Sequence, residues 1–150
     1  MGSNKERTID KMEKHLRKLN RSLYVVTKQI LRNLGLSTSR FFILMHLSHE
    51  EMSMGQLRKV SHVSRSTLTS LVDGLTSEGL VSRRRGKQDR RKVRVEITDE
   101  GKNIVETVLE KKRAIIDEAT TKMSENEINC FLQHIRQVNR FMDKKTHKDN

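Results

Sequence analysis

The segment Val63–Gly101 carries the strongest pattern in the chain: VSRSTLTSLVDGLTSEGLVSRRRGKQDRRKVRVEITDEG. Ser64 is a good helix-capping residue, and the apolar residues that follow it are spaced three and four apart until Gly79. This spacing predicts a helix that ends at that glycine. Residues 80–83 form a short run that fits a strand, and in residues 93–97 apolar and polar side chains alternate, which predicts a second strand. The residues between them form a basic tip.

A shorter helix is predicted just before this segment. Met54–Ser61 fits a helix with Leu57 and Val60 as its inward-facing residues, and residues 62–63 fit a tight turn. A short helix, a turn and a second helix rich in Ser, Thr and Arg form a helix-turn-helix pattern. With two strands and a basic tip directly after it, the pattern predicts a winged helix.

Long helices are predicted at both ends of the chain, with apolar residues at alternating steps of three and four. The first predicted helix ends near Gly35, and Ser124-Glu125-Asn126-Glu127 is a capping box that begins the last one. Such stripes can pack on each other within one chain or join two chains, and the long terminal helices favour a dimer. The stripes are Ile9, Met12, Leu16, Leu19, Leu23, Val26 and Ile30 near the beginning, and Ile128, Phe131, Ile135, Val138 and Met142 near the end.

These elements give a mainly α fold with a small β-wing. We expect residues 1–35 and 99–150 to form a helical dimerisation region, and residues 36–98 to form a winged helix-turn-helix lobe. A length of 150 residues suits one compact domain with extensions. No stretch approaches the length of a membrane span and no secretory signal pattern is recognised, so we expect a cytoplasmic protein.

The charge of the chain points to a polyanionic partner. The formal net charge is +12, and the excess is concentrated between Ser82 and Arg94, where eight basic residues accompany one acidic residue. Nucleic acid is the commonest partner of so dense a basic run. The single cysteine excludes an intramolecular disulfide framework.

The ordered motifs resemble the MarR (multiple-antibiotic-resistance regulator) family of bacterial transcription factors. That family has a helix ending in Leu-x-x-x-Gly-Leu-Val/Ile, a wing with Asp-x-Arg, and a strand ending in Leu/Ile-Thr-x-x-Gly. Residues 75–81, Asp89 with Arg91, and residues 97–101 match these motifs in order and spacing. The resemblance covers nearly the whole chain. It implies a homodimer that binds pseudo-palindromic DNA and usually represses transcription.

The chain departs from the family pattern in the helix before the turn. Arg58 occupies a position where alanine is usual, Ser61 replaces an apolar residue, and His62 stands where glycine is common. We expect Val60 to take over the missing apolar contact.

The predicted DNA contacts fall on the second helix and on the wing. Arg65 is the best candidate for a bidentate guanine contact in the major groove. Arg91 matches the family arginine that enters the minor groove, and Asp89 is expected to pair with it. The helix residues in question are Ser64, Arg65, Ser66, Thr67, Thr69 and Ser70, and the wing residues are Arg83, Arg85, Lys87, Asp89, Arg90, Arg91 and Lys92.

Regulation by a small molecule is a further implication of the resemblance. Tyr24, Arg40, Phe41 and His46 are candidates for lining an effector pocket, although aromatic residues at helical spacing are more often core. Cys130 follows the apolar Ile128 by two residues and is adjacent to Phe131, so we expect a buried structural thiol. We expect no metal site and no cofactor.

Two other classes of protein compete with a sequence-specific regulator. The first is a nonspecific nucleoid or RNA-binding protein that works by charge alone, which would not need Arg65 and its neighbouring hydroxyls. The second is an enzyme. The sequence contains no glycine-rich phosphate loop, no His-Glu-x-x-His motif and no Gly-x-Ser-x-Gly motif, so we expect no enzymatic activity.

Overall fold

A computed structural model describes residues 2–85 and 93–146 of the chain. The described part is mainly helical with one small antiparallel sheet, which confirms the predicted fold class. It divides into two compact units, Met1–Lys112 and Arg113–Asn150. In chain order the elements are α1 (Gly2–Asn33), α2 (Thr38–Leu47), β1 (Met52–Ser53), α3 (Met54–Ser61), α4 (Arg65–Ser77), β2 (Val81–Arg85), β3 (Val93–Ile97), α5 (Asp99–Thr120) and α6 (Glu125–Thr146).

The core of the first unit joins the end of α1 to the helix-turn-helix, the sheet and the first turns of α5. Leu31, Leu44, Leu57, Val72 and Val108 are among its almost completely buried side chains. Burying an aliphatic side chain of this size stabilises the fold by about 1.5 to 3 kcal/mol. This shared core fixes the orientation of α4, which carries the predicted DNA-reading residues.

Side-chain caps explain where the short helices begin. The hydroxyl of Ser53 accepts a hydrogen bond from the backbone N–H of Gln56 (3.3 Å), and the Gln56 side chain accepts one from the Ser53 N–H (2.9 Å). Ser64 caps α4 in the same way, because its hydroxyl accepts from the N–H of Thr67 at 3.2 Å. A cap of this kind contributes about 1 kcal/mol.

The sheet has the strand order β1-β3-β2. Strands β2 and β3 are antiparallel, with Val81 opposite Ile97 and Arg85 opposite Val93, as the sequence predicts. Strand β1 pairs Met52 with Val95 on the other edge of β3. It was not predicted, because two residues are too few to show the alternation of a strand.

The inward face of α3 differs from the prediction. Leu57 is fully buried, but Val60 is 37% exposed, so the expectation that Val60 points inward and replaces the missing apolar contact is wrong. The inward position after Leu57 is four residues on, at Ser61, whose hydroxyl is buried without a hydrogen-bond partner within the described residues. Helical geometry turns residue 60 away, because the core direction lies on the side of residues 57 and 61.

A close contact fastens the beginning of α5 to the base of the wing. The hydroxyl of Thr98 donates to the carbonyl oxygen of Gly79 (2.7 Å) and accepts from the N–H of Gly101 (3.1 Å). A Cβ atom at Gly101 would overlap the carbonyl oxygen of Leu80 and lie 2.7 Å from Cγ1 of Ile97. Only glycine therefore fits at this position. The hydrogen bonds of Thr98 and this lack of space together explain the Thr-x-x-Gly motif.

The second unit contains α6 and leaves its apolar stripe exposed. Phe131 is 49% exposed, and Val138 and Met142 are exposed as well. The thiol of Cys130 is exposed in the chain, so the prediction of a buried thiol is wrong. Cys130 lies one position outside the stripe, and adjacency in sequence to Phe131 does not place it on the same helix face.

The capping box at the beginning of α6 forms as predicted. The carboxylate of Glu127 accepts from the backbone N–H of Ser124 (2.8 Å), and the Ser124 hydroxyl accepts from the N–H of Glu127 (3.4 Å). Hydrogen bonds from the backbone and the hydroxyl of Ser124 lower the pKa of Glu127 below its usual value. Within the described ranges, each helix is too short or too polar to cross a lipid bilayer.

Candidate nucleic-acid interface

The outer face of α4 presents the predicted DNA-reading residues together. Arg65, Ser66, Thr69 and Ser70 line one open groove on this face, and Asp73 completes its lining. The opposite face of the helix is anchored by buried leucines and by Val72. The reading face is therefore held by a rigid element, as precise contacts to base edges require.

The hydroxyl groups at the beginning of α4 are tied to one another. Ser64 Oγ lies 2.7 Å from Thr67 Oγ1 and 3.1 Å from Ser66 Oγ. Thr69 Oγ1 donates to the carbonyl oxygen of Arg65 at 3.0 Å. These bonds occupy part of the hydrogen-bonding capacity of the hydroxyls and fix their positions, but each exposed oxygen keeps a lone pair for a donor on DNA.

Arg65 is an exposed cation on this face. Its side chain is exposed, and within residues 2–85 and 93–146 it forms no ion pair. A guanidinium group without an acidic partner keeps all of its donors for the fork geometry that guanine O6 and N7 accept.

Arg58 is a residue that sequence reasoning left without a role at this surface. It lines a cavity of about 290 Å³ together with Arg65 and Thr69, and the buried side chain of Leu68 also contributes to the lining. Like Arg65, it is exposed and forms no ion pair with any described residue. The unusual arginine in α3 thus places a second guanidinium group beside the first. The sequence could have indicated this role, because Arg58 replaces the alanine that is usual in the family.

The base of the wing uses its arginines partly for internal ion pairs. Arg83 on β2 forms an ion pair with Asp73 on α4, and Arg84 Nε lies 3.1 Å from the carboxylate of Glu96 on the neighbouring strand. The Arg83 pair connects the reading helix to the wing. A contact between residues ten apart on a helix and a strand has no periodic signal, so the sequence did not indicate it.

Much of the predicted wing tip lies outside the described residues. This applies to Lys87, Asp89, Arg90, Arg91 and Lys92, and to the side chain of Arg85. The expected pair between Asp89 and Arg91 therefore stays a prediction. The paired strand ends at residues 85 and 93 fix where the segment 86–92 leaves and rejoins the sheet.

The four candidate effector residues are divided among different sites. Tyr24 and Phe41 line the same cavity of about 220 Å³, formed by α1, α2 and α5, with Lys112 also in its lining. His46 lines a different cavity of about 330 Å³ beside the turn of the helix-turn-helix. Arg40 forms an ion pair with Glu78 at the end of α4.

Comparison with known proteins identifies relatives that are transcriptional regulators. A family model described as "Transcriptional regulator SarA/Rot" matches residues 25–108. The HTH-type transcriptional repressor YetL of Bacillus subtilis is 37% identical over 102 residues; the match covers 66% of this chain and 61% of YetL, which is less than two thirds of that relative's length.

Solved structures show the same fold over almost the whole chain. A MarR family protein from Bacillus stearothermophilus has a TM-score of 0.84 and 30% identity, with 92% of this chain and 97% of that chain covered. A MepR variant from S. aureus, solved bound to an oligodeoxyribonucleotide, has a TM-score of 0.67 and 16% identity, covering 87% of this chain and 97% of that one. Its identity is low, so this second likeness concerns the fold.

The matched family region spans the end of α1, the whole helix-turn-helix, both wing strands and the first turns of α5. It includes the reading face of α4 and the Thr98–Gly101 contact. The family consists of regulators of transcription and not of enzymes. The chain belongs to the MarR family of transcriptional regulators, which are winged-helix DNA-binding proteins.

Proposed function

We propose that the protein is a homodimeric, sequence-specific repressor that binds a pseudo-palindromic DNA site and is released by a small-molecule effector. The observation that carries the proposal is the exposed Arg65 on the reading face of α4, which forms no ion pair with any residue that the structure describes. A protein that binds nucleic acid by charge alone does not need a guanidinium group surrounded by hydroxyl groups on the exposed face of a rigid helix.

Specificity arises in the major groove from the reading face of α4. Arg65 donates two hydrogen bonds to one guanine, which discriminates against another base by about 1 to 3 kcal/mol. Ser64, Ser66, Thr67 and Ser70 contact phosphates or adjacent base edges, and these contacts chiefly set the position of the helix. Thr69 donates its hydroxyl hydrogen to the Arg65 carbonyl oxygen, so its oxygen accepts from an amino group on a base edge.

The wing supplies contacts to the minor groove and the backbone. Arg91 enters a narrow, A·T-rich minor groove, whose negative potential attracts a guanidinium group. Arg85, Lys87, Arg90 and Lys92 neutralise phosphates on either side. Arg83 acts indirectly, because its ion pair with Asp73 holds the wing against the reading helix.

The dimer forms through the exposed apolar stripes of the long helices. Along α1, Leu16 and Ile9 are each 50% exposed and Leu19 is 47% exposed, although their heptad spacing is that of a helix interface. On α6, Phe131, Val138 and Met142 of the stripe are also exposed, while Ile128 and Ile135 are half-buried. A second copy of the chain would bury both stripes, which supports a dimerisation region of residues 1–35 and 99–150 around a DNA-binding lobe of residues 36–98.

Replacing Leu16 by Glu tests the dimer. A charged side chain in the heptad stripe is expected to give a monomer in sedimentation equilibrium, since burying an unpaired carboxylate opposes association. Lys18→Glu is the matched control, because Lys18 lies on the opposite face of α1. A Leu16→Glu protein that remains dimeric would contradict the proposed interface.

The effector site is the cavity lined by Tyr24 and Phe41. Its mixed aromatic and apolar lining, with Lys112 at one side, suits a small aromatic molecule that carries an anionic group. Arg40 and His46 lie elsewhere and are not part of this proposed site. Because the cavity is formed by α1, α2 and α5, an occupant would alter how the DNA-binding lobe rests on the dimerisation helices.

The repressor role rests on the relatives. YetL, to which the chain is 37% identical, is named a transcriptional repressor, and so is MdtR of Bacillus subtilis, at 27% identity over 95 residues. A dimer that covers about 20 bp of DNA blocks RNA polymerase when its site overlaps a promoter.

Binding of Arg65→Ala to specific and random DNA tests the reading mechanism. On the preferred site the substitution should weaken binding about 10- to 100-fold for each half-site, while binding to random duplex should change little. Arg136→Ala, a change of equal charge on α6, is the control. Equal losses on both kinds of DNA would contradict specific readout and favour the charge-driven nucleic-acid binder.

A further inference from the structure

The long helix α1 carries a second stripe, which is composed of cations. Its basic residues recur at steps of three, four, three, seven and four, so they follow the same period as the apolar stripe. At 100° per residue they lie on the opposite face of the helix. This cationic stripe consists of Lys11, Lys14, Lys18, Arg21, Lys28 and Arg32.

The cationic stripe has few acidic neighbours on its own helix, because Glu6, Asp10 and Glu13 all lie near the beginning of α1. From residue 14 to residue 33 there are six Lys or Arg residues and no Asp or Glu. Within the described residues, an ion pair along α1 joins Arg17 to Glu13 (3.1 Å), whereas the six side chains of the stripe are exposed and form none.

This arrangement opposes helix stability. Lys14 and Lys18 are four residues apart, as are Lys28 and Arg32, and Arg21 follows Lys18 by three. Like charges at these spacings destabilise a helix by about 0.2 to 0.5 kcal/mol per pair. A solvated surface has no need of clustered like charges, whereas a surface that binds a polyanion requires them.

We propose that the cationic stripe of α1 is a second, sequence-independent binding surface for the phosphate backbone of duplex DNA, separate from the reading face of α4. The inference rests on the proposed DNA-binding function. The stripe from Lys11 to Arg32 is about 32 Å long, close to one turn of B-DNA. Once α4 has docked, other parts of the same duplex are present at high effective concentration.

The composition of the stripe favours DNA over a lipid surface. A helix that binds a membrane inserts apolar side chains beside its cations. Here the apolar stripe lies on the opposite face, where the proposed dimer buries it. The cationic face carries one exposed valine, Val25 (44% exposed), between Arg21 and Lys28, and no exposed Trp, Phe or Leu. A face dominated by regularly repeated cations fits a backbone of regularly spaced phosphates.

The test compares two variants of the full chain with the same change in charge. The stripe variant carries Lys11→Gln, Lys14→Gln, Lys18→Gln and Arg21→Gln. The control variant carries Lys111→Gln, Lys122→Gln, Arg136→Gln and Arg140→Gln, which lie on other helices and in the turn before α6.

Binding is measured by fluorescence anisotropy on two duplexes that share the selected site. One duplex of about 20 bp contains only the two half-sites, and the other extends it with random sequence to about 60 bp. Each titration is repeated between about 50 and about 200 mM salt, because the slope of log K against log salt counts phosphate contacts at about 0.9 per contact.

The stripe variant should bind the short duplex like the control variant. On the long duplex its salt slope should be shallower by about 3 to 4 for each protomer whose stripe contacts the DNA. Over this salt range the control variant should therefore lose at least on the order of 100-fold more affinity than the stripe variant does. If the protein bound to the short duplex captures a second, free duplex through the stripe, the proposal also stands and the stripe bridges two DNA segments.

Several results would overturn the proposal. Equal slopes for the two variants without capture of a second duplex would remove the DNA contact. A stripe variant that sediments as a monomer would assign the cations to acidic residues of a second copy. Binding of the wild type, but not of the stripe variant, to phosphatidylserine vesicles with unchanged DNA slopes would assign them to a membrane. In contrast, failure of Arg65→Ala to weaken binding to the short duplex would contradict the proposed function and not this inference.

Discussion

Replacing Gly101 by Ala should destabilise the protein, while the same substitution at Gly74 should stabilise it. Both glycines lie within helices, where alanine is favoured over glycine by about 1 kcal/mol. A Cβ atom at Gly74 meets no atom within 4 Å, so Gly74→Ala should gain close to the full amount.

At Gly101 the same gain is opposed by an overlap with backbone. The new Cβ would overlap the Leu80 carbonyl oxygen and approach Cγ1 of Ile97 to 2.7 Å. Overpacking costs about 1 to 3 kcal/mol, and the upper end applies because a carbonyl group cannot rotate away as a side chain can. The net loss is therefore about 2 kcal/mol, and the two variants should differ by about 3 kcal/mol.

Urea denaturation followed by circular dichroism measures this difference. All proteins are compared at one protomer concentration, because association contributes to the apparent stability. Since α5 must move away from the wing base to accept the new methyl group, Gly101→Ala should also bind DNA more weakly than Gly74→Ala. If the two variants prove equally stable, the close packing of α5 on Leu80 is refuted.

Three further predictions follow from the local geometry. His62→Gly should stabilise the protein by about 0.5 to 1 kcal/mol in urea denaturation, because residue 62 has a φ of 53°, which glycine adopts without the steric cost that histidine bears; a loss of stability would contradict this. Leu57→Ala should cost about 2 to 5 kcal/mol and Val60→Ala less than about 1 kcal/mol, since only the first side chain is buried; similar costs would restore Val60 to the core. The lowered pKa of Glu127 means that its capping contribution is present above the usual pKa of 4.5 and is lost as the pH falls through the lowered value; the stability difference between wild type and Glu127→Gln should therefore shrink on acidification, and a difference independent of pH would refute the charged cap.

Elements with a clear period could be predicted from the sequence. The heptad spacing of the long helices, the capped helix that begins at Arg65 and the alternation of Val93–Ile97 all correspond to observed elements. Each of these patterns extends over enough residues to separate a period of 3.6 from a period of 2.

Features that depend on one or two residues could not be predicted. Strand β1 contains two residues, and its place in the sheet is set by Val95, more than forty positions away. In α3 the inward position is occupied by a serine, so the apolar pattern pointed to Val60 instead. The ion pair between Asp73 and Arg83 depends on the packing of a helix against a strand, which the sequence does not encode as a local signal.

Selection of DNA from a randomised duplex pool tests the central claim most directly. The purified wild type and Arg65→Ala are each incubated with the pool at physiological salt, and the bound fractions are sequenced. The account predicts that the wild type enriches a pseudo-palindrome with half-sites about 10 bp apart, and that Arg65→Ala loses the guanine preference at one position of each half-site. Retention of DNA by the wild type without any enriched motif would contradict a sequence-specific regulator and leave a binder driven by charge.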